Sequence, residues 1–176
     1  GMNIELLKYA KIKKIKVTNT KRIFDNAVAS TVLAYIFMLG RGIHYSLYLK
    51  NRKKLGRKFY NNIYQNLQNI FSQNILFVGY SNIAKKISKV CQSLGMNIFA
   101  IKSNIPYSKT KIKFYNLNQL KQAVKKSDYI INLLPYTNLT KNIFDKNIFN
   151  QMKKNTIFIN VGRGDTVNEK DLLNAI

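Results

Sequence analysis

The stretch from Asn74 to Lys102 constrains the chain most, because it reads as strand, tight turn, helix and second strand without interruption. Asn74-Ile75-Leu76-Phe77-Val78 is short, almost wholly apolar and rich in branched and aromatic residues, which suits a parallel strand buried on both faces. Gly79 stops it. From Asn82 to Leu94, apolar Ile83, Ala84, Ile87, Val90, Cys91 and Leu94 recur at spacings of three and four, while Lys85, Lys86, Lys89 and Gln92 fall between them. That pattern predicts an amphipathic helix with one buried and one wet face. Gly95 closes it where a left-handed C-terminal residue is favoured, and Asn97 to Ile101 begins the next strand. The whole is one βαβ unit, the way dinucleotide sites begin.

Gly79-Tyr80-Ser81-Asn82-Ile83-Ala84 stands where such a unit carries G-x-G-x-x-G. The first glycine allows the tight turn, the second lets the backbone approach a pyrophosphate, and the third lets helix and strand pack closely. Only the first is kept here. Ser81 and Ala84 are both small replacements, but Ser81 puts a side chain where phosphate should nearly touch backbone, and its hydroxyl could donate a hydrogen bond instead. A buried βαβ unit without a ligand would show the same strand and helix, so the turn alone does not decide for a cofactor.

The chain continues in the same alternation. Leu117 to Lys126 reads as a helix, Asp128 to Leu134 as a strand ending at Pro135, Thr137 to Asn142 as a loop, and Asp145 to Met152 as a short helix. Thr156 to Asn160 follows as a strand, and Glu169 to Ile176 opens a helix. Alternating strands and helices imply an α/β, doubly wound parallel sheet. Before it, Ile4 to Ala10 suggests a short helix and Ile15 to Thr18 a short strand. A long connecting helix starts at Asp25 or Asn26 and is expected to run past Gly42 through Leu47 and Leu49, and Tyr60 to Phe71 reads as a covering segment of open structure.

With 176 residues, 46% of them hydrophobic, the chain has the size and the core of one ordinary domain. Its net charge of +23 raises nucleic acid or an anionic membrane as partners. The lysines, however, are spread along the whole chain, and only five arginines are present, the residue that reads bases bidentately. Solvated lysine faces are the reading, not a nucleic-acid surface. Ala27 to Gly40, the longest apolar run, is too short to span a bilayer, and no signal peptide is visible, so a cytoplasmic chain without membrane attachment is expected. A lone Cys91 excludes an internal disulfide and fits a reducing compartment. No residue spacing suggests a metal.

In doubly wound sheets ligands bind beyond the carboxyl ends of the strands. There the chain places Gly79 to Ile83, Lys102, Pro135 to Thr140, and Val161-Gly162-Arg163-Gly164. Arg163, between glycines directly after a buried strand, offers a guanidinium with room for a small anion. An exposed loop arginine with no ligand has the same spacing.

Asn160-Val161-Gly162-Arg163-Gly164-Asp165-Thr166-Val167-Asn168-Glu169, with Asp171-Leu172-Leu173 after it, resembles the second signature of the D-isomer-specific 2-hydroxyacid dehydrogenases. Asp128 to Leu134, Pro135 to Thr140 and Asn142-Ile143-Phe144 are similar to the family's stretch after its fourth cofactor-domain strand. Val17-Thr18-Asn19-Thr20 and Ala27-Val28-Ala29 resemble its crossing from substrate domain to cofactor domain. The resemblance implies a Rossmann-type cofactor domain, a homodimer through that domain, and reduction of a small 2-oxo acid by hydride from a nicotinamide. It implies that Arg163 orients the substrate and stabilises charge on its oxygen. Gly79, Ser81, Asn82 and Ile83 would meet the pyrophosphate, Pro135 and Thr140 the nicotinamide half, and Val161 and Gly162 the floor beneath the ring.

The family also uses a histidine as general acid and a glutamate supporting it. Both are expected beyond Ile176, and His44, the only histidine, reads as structural. Residues 1–24 are expected to be a remnant of the substrate domain and 25–176 a truncated NAD(P)-binding domain, a fragment inactive by itself. Departures from the family pattern are Lys21-Arg22 where proline and glycine are common, Ser81 and Ala84 in the turn, and Lys102 where an acid would contact ribose. An ammonium cannot accept from ribose hydroxyls but pairs with a 2′-phosphate, so NADP(H) is expected to bind more tightly than NAD(H). A Lys102 pointing to solvent remains the alternative. The alternative function is a non-catalytic, NAD(P)-sensing binding protein of corepressor type.

Overall fold

The computed structural model describes residues 4–18, 22–52, 56–57, 61, 67–105 and 110–176. Readings that rest on Asn19, Thr20 and Lys21, on residues 1–3, and on most of the Tyr60 to Phe71 segment lie outside the described residues.

Five strands form one sheet: β1 (Asn74–Val78), β2 (Asn97–Ile101), β3 (Lys113–Tyr115), β4 (Tyr129–Asn132) and β5 (Ile157–Asn160). Their order across the sheet is β3-β2-β1-β4-β5, and every pairing is parallel. Chain order reverses between β1 and β4, so the topological switch point lies at their carboxyl ends.

Alternation along the strands sorts the core into two halves. Ile75, Phe77, Tyr129, Ile131 and Ile159 face one side, against Ala29, Val32 and Ile36 of helix α2 (Asp25–Gly40) and Ala84, Ile87 and Cys91 of the helix after β1 (Asn82–Ser93, α4 below). Leu76, Val78, Ile101 and Ile130 face the other side. They pack on Leu120, Ala123 and Val124 of helix α5 (Leu120–Lys126) and on Ile148 and Phe149 of helix α6 (Lys146–Phe149). Strands buried on both faces are what an all-parallel sheet requires. Helix α4 is amphipathic as its spacing predicts, and Ser81 caps it by accepting from the Ala84 N–H.

Four local readings are corrected. The connecting helix does not run past Gly42: α2 ends at Gly40, and α3 (Ile43–Asn51) starts after a 68° bend, with Gly42 in the left-handed region at φ 62°. Ile15 to Thr18 forms no strand, and helix α1 covers Ile4–Ile12. Lys113–Tyr115 is an edge strand that the sequence reading did not find. The final helix, α7, spans Glu169–Leu173, capped by Asn168. Among the described residues no single helix is long and apolar enough to cross a membrane, and α2 turns its apolar stripe onto the sheet.

Candidate functional site

A cleft of about 470 Å³ opens at the switch point. It is lined by Gly79, Tyr80 and Ser81 from the turn after β1, Ile101, Lys102 and Ser103 from the end of β2, and Leu133 to Pro135, Thr137 and Thr140 from the loop after β4. Of the candidate residues, the fold thus brings Gly79, Ser81, Lys102, Pro135 and Thr140 around one cavity.

Each is placed by local physics. Gly79 has φ +97°, a conformation that side chains rarely adopt, and a Cβ there would stand 3.2 Å from the Leu133 carbonyl. The turn is held against β2 by the Gly79 and Tyr80 N–H groups, which share the Ile101 carbonyl at 3.2 Å. Ser81 turns its hydroxyl back onto the helix, where it accepts from Ala84 at 3.4 Å. The Lys85 N–H bonds to the Ser81 carbonyl, so the N–H groups of Asn82 and Ile83 are the first-turn donors without an intrahelical acceptor. They lie at the positive end of a twelve-residue helix, a disposition that suits a diphosphate. The lost glycine at position 81 therefore costs little, because its replacement caps the helix it begins.

Not every candidate side chain enters the cleft. Asn82 turns to Arg22, its amide oxygen accepting from Nε at 3.0 Å, and lines a separate basic cleft with Asp25, Lys85, Lys86 and Lys89. Only its main chain remains available to a phosphate. Arg22 itself has φ 68°, the left-handed backbone that a glycine would take without strain. Ile83 and Val161 pack against the core beneath the site. Thr140 is buried, its hydroxyl donating to the Pro135 carbonyl at 2.7 Å and accepting from the Thr137 N–H at 2.8 Å. It shapes the loop rather than offering a free polar group.

The loop after β5 is fixed to the end of β4 by a buried amide. Asn132, fully buried, donates to Asn160 Oδ1 at 3.0 Å and Thr166 Oγ1 at 2.7 Å, and accepts from the Leu134 N–H at 3.1 Å. Asn160 Oδ1 also accepts from the Gly162 N–H at 3.1 Å, and Thr166 donates to the Arg163 carbonyl at 2.6 Å. A Cβ at Gly162 would lie 2.6 Å from the Leu134 carbonyl oxygen, so only glycine lets the two loops approach this closely. Arg163 is exposed, its guanidinium donating to the neighbouring Gly162 carbonyl at 3.0 Å. Its main chain is clamped on the switch-point side of the sheet while its side chain reaches outward.

Sequence reasoning missed Asn132, Thr166 and Tyr80. The available signal for Asn132 was one polar residue in an otherwise apolar buried strand, which must find partners. Tyr80 lay inside the glycine turn itself, where it lines the cleft and bonds to Ser88 at 2.9 Å.

The family of the D-isomer specific 2-hydroxyacid dehydrogenase NAD-binding domain matches residues 33–176. The chain belongs to this family. Hydroxypyruvate reductase of Thermotoga maritima is 26% identical over 174 residues, covering 99% of this chain and 54% of that protein. The chain therefore spans about half the length, or less, of the curated relatives it matches. Among solved structures, D-lactate dehydrogenase with NAD+ from Lactobacillus jensenii superposes with a TM-score of 0.82 at 21% identity, over 99% of this chain and 51% of that one. A probable 2-hydroxyacid dehydrogenase from Rhizobium etli in complex with NADP gives 0.74 at 17% identity, over 89% and 48%. These likenesses establish the Rossmann-like fold. The family places the switch-point cleft in an NAD(P)-binding domain, and the cleft's glycine turn and helix N-terminus fit that group.

Proposed function

We propose that this chain is the cofactor-binding part of an oxidoreductase that transfers hydride between NAD(P)H and a small 2-oxo acid. The observation that carries the reading is convergence: the turn after β1, the end of β2 and the loop after β4 wall a single cleft. The loop carrying Gly162 packs on that loop at Leu134. The nicotinamide supplies the hydride when bound. The chain's own residues hold the diphosphate at the start of α4, shape the nicotinamide end through the loop that Thr140 closes, and present Arg163 to the acid. Its guanidinium holds the carboxylate and stabilises charge on the carbonyl oxygen.

Lys102, half-buried at the end of β2 and lining the cleft, supports NADP(H) over NAD(H). Tyr35 and Phe37 on α2 and Tyr45, Leu47 and Tyr48 on α3 are exposed large apolar side chains, which suits a homodimer through this domain. Residues 1–24 fit a remnant of a substrate domain, and a cytoplasmic location suits the reading.

The corepressor-type alternative would keep the same cleft and lose only turnover. Kinetics on a two-domain protein containing this chain separates the two. Arg163→Ala should lower kcat/KM for glyoxylate or hydroxypyruvate by about a hundredfold or more, the scale for losing a preorganised electrostatic group. The isolated chain, with cofactor positioning and one arginine but no histidine lining the cleft among the described residues, should show no turnover. An Arg163→Ala effect under about threefold, or absence of reductase activity in the two-domain protein, would contradict the enzyme reading.

A further inference from the structure

The cleft at the switch point does not end at Lys102. Tyr80 and Lys102 line it and also line a second cavity of about 430 Å³, whose other walls include Lys85 and Lys89 of α4 and Phe114 of β3. Lys85 and Lys89 are one helical turn apart on the exposed side of α4, so both ammonium groups belong to the same face. With Lys102 opposite them on the end of β2, three cations surround this cavity. Among the described residues, no carboxylate lines it.

The floor is built rather than incidental. The Tyr80 hydroxyl is bonded to Ser88 Oγ at 2.9 Å, and Ser88 donates to the Lys85 carbonyl at 3.0 Å. The Tyr80 ring meets Phe114 edge-on with centroids 5.4 Å apart and Phe77 at 6.4 Å. Ser88 is buried, which fixes the ring between the two cavities. Three like charges around one hollow repel each other, and a dianion bound among them relieves that repulsion. A lysine face meant only for solvent needs neither a hollow nor an aromatic floor.

We propose that this second cavity takes the 2′-phosphate of the dinucleotide, with Lys85 and Lys89 acting beside Lys102 as specificity-determining residues. The inference rests on the reading that the dinucleotide occupies the switch-point cleft. A diphosphate held at the start of α4 would leave the adenosine half of the dinucleotide toward the end of β2, where Tyr80 and Lys102 line both cavities. Selectivity is then set largely by a helix that also carries the diphosphate site, and not by the end of β2 alone.

Fluorescence titration of the chain with NADPH and NADH, at low and moderate salt, tests this in wild type, K102Q and the K85Q/K89Q double variant. Both α4 lysines are exposed, so glutamine should leave the helix intact, and NADH binding reports on folding in the same titration. Wild type should bind NADPH at least about tenfold tighter, with added salt narrowing the gap. The double variant should lose about tenfold for NADPH while NADH changes by less than about twofold. If K102Q abolishes the preference and K85Q/K89Q leaves it intact, the second cavity is not the phosphate site, and the dinucleotide reading survives. Equal affinities in wild type overturn the proposal together with the NADP preference. Binding of neither dinucleotide overturns both the proposal and the cofactor reading beneath it.

Discussion

At the scale of single residues, the site depends on backbone approach more than on reactive side chains. Gly162 shows this most clearly, since any Cβ there would stand 2.6 Å from the Leu134 carbonyl oxygen and 3.1 Å from its nitrogen. Neither atom can move without displacing the end of β4. Gly162→Ala should therefore destabilise the chain by about 1–3 kcal/mol, the range for overpacking, and weaken dinucleotide binding as the two loops separate. Urea unfolding and cofactor titration check it, and unchanged values in both would show that the loops are free to part. The sequence made Gly162 and Gly79 legible because glycines after buried strands have few explanations. It left Asn82 half-read, because nothing in the spacing reveals that Arg22 draws its side chain away. Cys91 is buried, and burial pushes its thiol up to about 12, which accords with a packing role.

At the scale of elements, the parallel strands β1, β2, β4 and β5 and helix α4 were readable because burial on both faces or on one stripe leaves a periodic trace. Strand β3 left none, being three residues at the sheet edge with only Tyr115 buried. The break at Arg41 and Gly42 was hidden by apolar residues that continue on both sides, although Gly42 adopts the left-handed backbone that ends α2. Helix α2 lies close to the sheet through Gly40, where a Cβ would collide with the Tyr129 hydroxyl and reach Ile70 Cγ1 at 3.3 Å. That hydroxyl is buried without a hydrogen-bond partner among the described residues. Burial, and then the neighbouring Asp128 carboxylate, push the Tyr129 pKa up to about 12. Two linked outcomes follow for denaturant unfolding. Gly40→Ala alone should cost about 1–3 kcal/mol. Tyr129→Phe, which removes an unsatisfied buried group, should be neutral or stabilising by about 1 kcal/mol and should recover most of the Gly40→Ala loss in the double variant. Additive losses would mean that α2 shifts away from the sheet instead of meeting that hydroxyl.

At the scale of the whole molecule, the strand order places every candidate loop on one edge of the sheet, and this follows from topology, not from any one motif. The degraded glycine turn would have decided little by itself. Its place at the carboxyl end of β1, beside β4 where the order reverses, gives it meaning. The basic composition was the least informative feature, since charge spread over all faces names no partner until a fold gathers some of it around a cavity. The central claim is that a nicotinamide dinucleotide lies across this edge. It is tested most directly by mapping amide shifts of the isotope-labelled chain on titration with NADPH. The account predicts perturbations concentrated at Gly79 to Ile83, Lys102 and Ser103, Pro135 to Thr140, and Val161 to Arg163. Perturbations confined to α6 and α7, or none at saturating cofactor, would contradict it.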